Sequence, residues 1–153
     1  MVLKPEPMCA AIRAAAARLP AGAPRILLSA QGQRFTQAVA RELAESAGFL
    51  LVAGRYEGVD ERVIETCIDR LSIGDFVLSG GEIPALTVID AVVRLLPGAL
   101  GDERSSEQES HSATGLLDWP HYTRPEVFEG REVPAVLRSG NHAQIERWRT
   151  AQS

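Results

Sequence analysis

Between residues 25 and 98 the sequence alternates short, unbroken apolar runs with longer segments whose apolar residues recur at helical spacing, punctuated by glycine. Ile26-Leu27-Leu28 and Phe49-Leu50-Leu51-Val52-Ala53 show no polar alternation, which marks strands buried on both faces, as in a parallel sheet. Each leads to a helical segment. Thr36 can cap a helix through Ala47 that Gly48 ends, and Asp60 can cap another to about Arg70, with Val63, Ile64, Cys67 and Ile68 on one face. A third strand is expected over residues 73–78, running into Ser79-Gly80-Gly81. A helix follows over 83–96, where Leu86, Ile89, Val93 and Leu96 recur at helical spacing until Pro97-Gly98 stops it. Ahead of all these, Pro5-Glu6-Pro7 opens an alanine-rich helix over 8–19, closed by Pro20-Ala21-Gly22. This alternation predicts an α/β fold: a mostly parallel sheet with helices on both faces.

The pattern changes at Gly101. Residues 101–115 have almost no apolar anchor, so a mobile loop is expected there. Residues 116–138 are rich in proline and aromatics without a clear period, and irregular chain on a surface is expected. Asn141 looks like the cap of a last helix through Trp148. The expected division is an α/β domain over 1–118 and, over 119–153, a linker with the start of a further domain. A helix before the first strand, and three strands for five helices, make a thin sheet. Missing sequence before Met1, a first strand included, is therefore expected, with the final helix the start of something absent.

Composition narrows the function. At 45% apolar and 24% charged residues the chain is of ordinary globular make-up. No stretch approaches the roughly 20 apolar residues of a membrane span, so no membrane partner is expected. Sixteen basic against twenty acidic residues leave a net charge of −4, which argues against coating nucleic acid by bulk charge. Any such contact must be local. Cys9 and Cys67 lie in no metal-ligand spacing and fall among helical apolar positions, which suits core packing. The histidines have no second ligand at metal spacing, so no protein-bound metal is expected. The opening Met1-Val2-Leu3-Lys4-Pro5 lacks signal-peptide architecture, and a cytoplasmic location is expected.

Three expected strand ends are followed by small or polar loops: Ser29-Ala30-Gln31-Gly32, Gly54-Arg55-Tyr56-Glu57-Gly58 and Ser79-Gly80-Gly81-Glu82. In open α/β sheets ligands bind at the carboxyl ends of strands, where glycines let backbone amides approach them closely. The three loops together suggest one pocket. Dinucleotide, P-loop and nucleophile-elbow motifs are absent, so oxidoreductase, triphosphate and hydrolase readings lose support.

Four blocks carry a resemblance: residues 54–62 (Gly-Arg-Tyr-Glu-Gly-Val-Asp-Glu-Arg), 72–82 (Ser-Ile-Gly-Asp-Phe-Val-Leu-Ser-Gly-Gly-Glu), 120–125 (Pro-His-Tyr-Thr-Arg-Pro) and 139–142 (Ser-Gly-Asn-His). In this order they closely resemble the bacterial tRNA (guanine-N1)-methyltransferase family TrmD. The resemblance implies a SPOUT-class methyltransferase whose chain threads a carboxyl-terminal trefoil knot around an S-adenosyl-L-methionine site, with S-adenosylhomocysteine as product. It assigns cofactor binding to Leu27, Leu28 and Ser29, to Gly54, Tyr56 and Glu57, and to Ile73, Gly74, Leu78, Gly80, Gly81 and Pro84. Magnesium enters only as an ion the protein does not hold. The implied reaction methylates N1 of the guanosine immediately 3′ of the tRNA anticodon. N1 carries a proton at neutral pH, so a carboxylate base and a cation near O6 are needed. Arg94 matches the family's arginine, and Glu109 stands where the family has aspartate. Ala30 and Leu27 depart from a usual proline and a common tyrosine. Arg55, His121, Tyr122 and Arg124 are assigned to the tRNA, whose target base has to leave its stack.

The resemblance also implies a homodimer with its active site at the subunit interface. Family members carry more chain before and after this region, so these residues alone are expected to methylate tRNA poorly. The alternative is a non-catalytic RNA-binding or assembly remnant of the same fold, which calorimetry with S-adenosylmethionine would separate.

Overall fold

The computed structural model describes residues 1–100, 110, 111 and 117–153, with the backbone alone at 66 and 67. The chain forms two compact units, Met1–Gly101 and Asp102–Ser153.

In the first unit, strands β1 (Arg25–Arg34), β2 (Leu50–Ala53) and β3 (Asp69–Ser72) form a parallel sheet in the order β2-β1-β3. Four helices accompany it: α1 (Pro5–Ala16), α2 (Gln37–Glu45), α3 (Glu61–Cys67) and α4 (Glu82–Val93). The caps follow local chemistry. Pro5 sits in the first turn of α1, where its missing N–H is no loss. The Thr36 hydroxyl accepts from the Val39 amide at the start of α2, and the Asp60 carboxylate from the Arg62 amide at the start of α3.

Pleat alternation decides which helix covers which face. Ile26 and Leu28 of β1 are buried with Leu71, Ala40 and Leu43 of α2, and Val88 and Val92 of α4. Leu27, between them, is buried on the other side with Ile12 of α1, Val63 of α3 and Ile68, and Cys9 packs against this second cluster. The sheet thus carries helices on both faces.

The third strand is Asp69–Ser72, not the segment 73–78. Its Asp-Arg-Leu-Ser sequence hides it. Position is decided by Ile68 and Leu71, which enter the two opposite core clusters and so set the pairing of Ile26 with Asp69 and Leu28 with Leu71. The more apolar segment 73–78 is a loop that leaves Phe76 53% and Val77 88% exposed.

Nor does the chain simply turn at Ala30-Gln31-Gly32. β1 continues to Arg34 through an irregularity, so Leu71 pairs first with Leu28 and again with Gln33. A Cβ on Gly32 would overlap the Leu71 amide nitrogen and lie 2.6 Å from the Arg70 carbonyl carbon, so only glycine lets the two backbones pass.

In α4 the stripe Ile83, Leu86, Ile89, Val93, together with Leu96 beyond it, stays between 41% and 63% exposed. The helix buries Pro84, Val88 and Val92 instead.

The second unit holds a hairpin of β4 (Val127–Phe128) and β5 (Arg131–Glu132), then α5 (Ala135–Arg138) and α6 (His142–Gln152). Regular structure therefore interrupts the irregular stretch expected over 116–138. The hairpin turn places Glu129 and Gly130 at φ 50° and 75°, both left-handed, and Glu-Gly is a weaker turn signal than Asn-Gly. Asn141 caps α6, its side-chain oxygen accepting from the Gln144 amide at 3.2 Å. Among the described residues no helix is long and apolar enough to cross a membrane.

Candidate functional site

Three segments line one cleft. Leu28, Ser29 and Ala30 come from the middle of β1, at its irregularity, residues 54–58 from the second loop, after β2, and residues 71–74 and 76–81 from β3 and the third loop that follows it, with Pro84 of α4 beside them. The cleft is open at its mouth and has a cavity volume of about 180 Å³, smaller than the roughly 300–1,000 Å³ usual for small-molecule sites.

The loops are joined to one another through main chain and side chain. The Gly81 amide donates to the Gly54 carbonyl at 2.9 Å, and Arg55 forms an antiparallel bridge with Gly80. Arg55 Nε donates to Glu82 Oε1, also at 2.9 Å. Arg34 Nη2, at the end of β1, donates to Asp75 Oδ2 in the third loop at 2.9 Å. The start of the chain braces the second loop: Leu3 N–H donates to Gly58 O, Asp60 N–H to Leu3 O, and Glu57 N–H to Met1 O. Ser72, buried at the root of the third loop, donates its hydroxyl to the Gly74 carbonyl and accepts from the Gly74 amide.

Two features of the lining point to a ligand. Tyr56 adopts φ 63°, a left-handed conformation uncommon for an aromatic residue and of the kind that collects at functional sites. Tyr56, Phe76, Val77 and Leu78 also leave large apolar surfaces exposed around the cleft. Charge is supplied by Arg55 and Glu57 in the lining. Glu82 is held below its ordinary carboxylate range, first by its own backbone amide and then by Arg55. The arrangement offers backbone donors and acceptors, flat apolar surface and one charge of each sign.

Of the twelve residues expected to hold a cofactor, eleven line this cleft. Leu27 does not: β1's alternation turns it into the α1–α3 core, where its Cδ1 lies 3.7 Å from a Cβ built on Gly54. Arg94 is the half-buried C-cap of α4 and is not part of the lining. Glu109 lies outside the described residues. Phe76 and Val77 were missed as lining residues because they read as strand. Glu82 reads as part of a loop in the sequence, and no sequence spacing joins it to Arg55.

His121, Tyr122 and Arg124 belong to the second unit. There Asp118 Oδ1 accepts from the Trp119 amide and Oδ2 pairs with His121 Nε2, both at 2.8 Å. His121 is the main cause of a lowered Asp118 pKa. A carboxylate so engaged is a poor proton acceptor. The Arg149 guanidinium lies 4.8 Å from the Trp119 ring centre, and the Tyr122 and Trp148 rings approach to 6.3 Å. Arg138 pairs with Glu126 and Glu132, whereas Arg124, Arg131 and Arg147 have no ion-pair partner among the described residues.

Fold and cleft together define an α/β protein with a parallel sheet flanked by helices and a cleft lined by β1 and the segments after β2 and β3. The family described as tRNA (Guanine-1)-methyltransferase TrmD matches residues 1–153, and the chain belongs to that family. Proteins named tRNA (guanine-N(1)-)-methyltransferase are 64% identical in Methylococcus capsulatus, 60% in Myxococcus xanthus and 57% in Dehalococcoides mccartyi. Each match takes in 100% of this chain and 61% or 62% of the relative, so the chain spans about three-fifths of the length of these curated relatives.

Proposed function

We propose that this chain belongs to an enzyme that methylates N1 of the guanosine immediately 3′ of the anticodon in tRNA, using S-adenosyl-L-methionine. The observation that carries this reading is the convergence of mid-β1 residues 28–30 with the loops after β2 and β3 on a single cleft.

The cleft suits such a donor. Its aromatic and aliphatic rim suits a purine, and the Glu57 carboxylate suits a cation. When bound, the donor supplies a methyl group activated by a positively charged sulfur. The protein's own part is to orient the guanine, remove its N1 proton and stabilise the charge left on the ring. Glu109 is assigned the proton and Arg94 the charge near O6. The remaining substrate contacts are assigned to Arg55 and to His121, Tyr122 and Arg124, with Arg131 and Arg147 as further cations for phosphate.

A homodimer is part of the proposal. Support comes from the exposed stripe Ile83, Leu86, Ile89 and Val93 on α4, an apolar face of the kind that marks an interface. The cytoplasm, where tRNA is modified, is the compartment this chemistry assigns.

The test is methyl transfer by the full-length protein to paired tRNA transcripts that differ at the base 3′ of the anticodon, with calorimetric titration of S-adenosylhomocysteine. Methylation of the guanosine transcript alone, lost in Glu109→Gln with cofactor binding intact, is expected. Absence of cofactor heat, or equal methylation of both transcripts, would overturn it.

A further inference from the structure

Arg55 lines the cleft, yet its one side-chain hydrogen bond among the described residues runs to Glu82. A guanidinium carries five N–H donors. The contact from Nε uses one and leaves the terminal pair, the fork that matches an oxyanion end-on. Both side chains are about half exposed, at 56% and 50%, so the ion pair adds little to stability. Even so, its geometry is fixed from three directions. Glu82 is the first residue of α4 and also engages its own backbone amide. The Arg55 main chain is bridged to Gly80. Gly80, finally, leaves room for the pair: a Cβ there would overlap Glu82 Oε2 and lie 3.3 Å from Arg55 Nε. An exposed pair of little energetic worth that excludes a side chain from its neighbour is one that serves orientation.

We infer that Glu82 is a positioning residue for Arg55, turning its terminal N–H groups toward a phosphate of the RNA strand whose base enters the cleft. This rests on the reading of the cleft given above. A net charge of −4 over these 153 residues argues against bulk attraction for RNA, so the placement of each cation near the target counts. An arginine fork held by a carboxylate at Nε is pre-organised for that contact, whereas a free side chain would have to be ordered by the RNA itself.

The experiment uses Glu82→Ala, Glu82→Gln, Arg55→Gln and the Glu82→Ala/Arg55→Gln double variant of the full-length protein. It reads KM for tRNA, kcat, the salt dependence of tRNA binding, and S-adenosylhomocysteine affinity by calorimetry. Glu82→Ala is expected to raise KM for tRNA roughly five- to tenfold with kcat nearly unchanged. Glu82→Gln, which keeps an acceptor at the same reach, recovers part of the loss. Arg55→Gln lowers the salt slope of tRNA binding by about one, and adding Glu82→Ala to it brings no further loss. S-adenosylhomocysteine affinity stays constant throughout. An unchanged KM in Glu82→Ala, or additive losses in the double variant, would overturn the inference. So would a matching loss of S-adenosylhomocysteine affinity, which would mean that the pair shapes the cleft or that Arg55 serves the donor's carboxylate. If the wild-type protein binds tRNA without methylating it, the functional reading falls, while the salt slope and the double variant still decide the role of Glu82.

Discussion

The Gly81 amide donates to the Gly54 carbonyl across 2.9 Å, and this one bond presses the loop after β2 against the start of α4. The approach is so close that a Cβ on Gly81 would lie 2.6 Å from Ala53 Cα and 2.9 Å from Gly54 N, both backbone atoms. Gly81 itself has φ −83°, which any residue tolerates, so the requirement is space alone. Gly81→Ala is expected to cost about 1–3 kcal/mol through forced displacement. It should weaken S-adenosylhomocysteine binding at least about tenfold, as read by thermal unfolding and calorimetry.

The two faces of α4 should respond oppositely to substitution. Val88 is fully buried between α2 and the sheet, and Val88→Ala is expected to destabilise the fold by about 2 kcal/mol. Leu86 is 61% exposed. Leu86→Glu should leave the thermal midpoint of a dilute sample nearly unchanged while shifting the sedimentation profile to monomer.

Acid should expose the Asp60–Arg62 clasp. Arg62 Nε and Nη2 donate to the two Asp60 oxygens at 2.8 and 2.9 Å, and with the Arg62 amide they hold the Asp60 pKa down to about 2. A carboxylate depressed on folding contributes its stability in full above its unfolded pKa of about 4. That contribution is lost as pH falls through the folded value. Between pH 4 and pH 2 the thermal midpoint of the wild type should therefore fall more steeply than that of Asp60→Asn, which can still cap α3. Parallel curves would refute the assignment.

The strap at the start of the chain should matter to the cleft it does not line. Leu3→Pro removes the N–H that donates to Gly58 O at 2.9 Å. Losing one such bond is worth about 0.5–1.5 kcal/mol. The second loop should loosen and S-adenosylhomocysteine affinity should fall up to about tenfold. Faster amide exchange at Glu57 and Asp60, with α2 unaffected, would locate the effect.

The strands at Ile26-Leu27-Leu28 and residues 50–53, and the caps Thr36, Asp60 and Asn141, were legible because each is a local signal within four residues. The cleft was legible only in part: Gly54 does follow a strand, whereas Ser29-Ala30-Gln31-Gly32 lies inside β1 and Ser79-Gly80-Gly81 follows a loop. β3 was not legible. Asp69-Arg70-Leu71-Ser72 has the composition of a surface turn, and it became a strand because Ile68 and Leu71 each had a core to enter. The residues that looked more like a strand, Phe76 and Val77, stand in the cleft wall instead.

Sequence by itself thus determined the alternation of layers and the helix starts, since periodicity and capping act over a few residues. Tertiary structure alone decided which face of α4 is covered, why Gly32 and Gly81 must lack side chains, and that Arg55 meets Glu82. Those outcomes depend on excluded volume and hydrogen bonding between segments some 27 to 41 residues apart, as in Arg55–Glu82 and Arg34–Asp75. No pattern within a single segment encodes what another segment will bring against it.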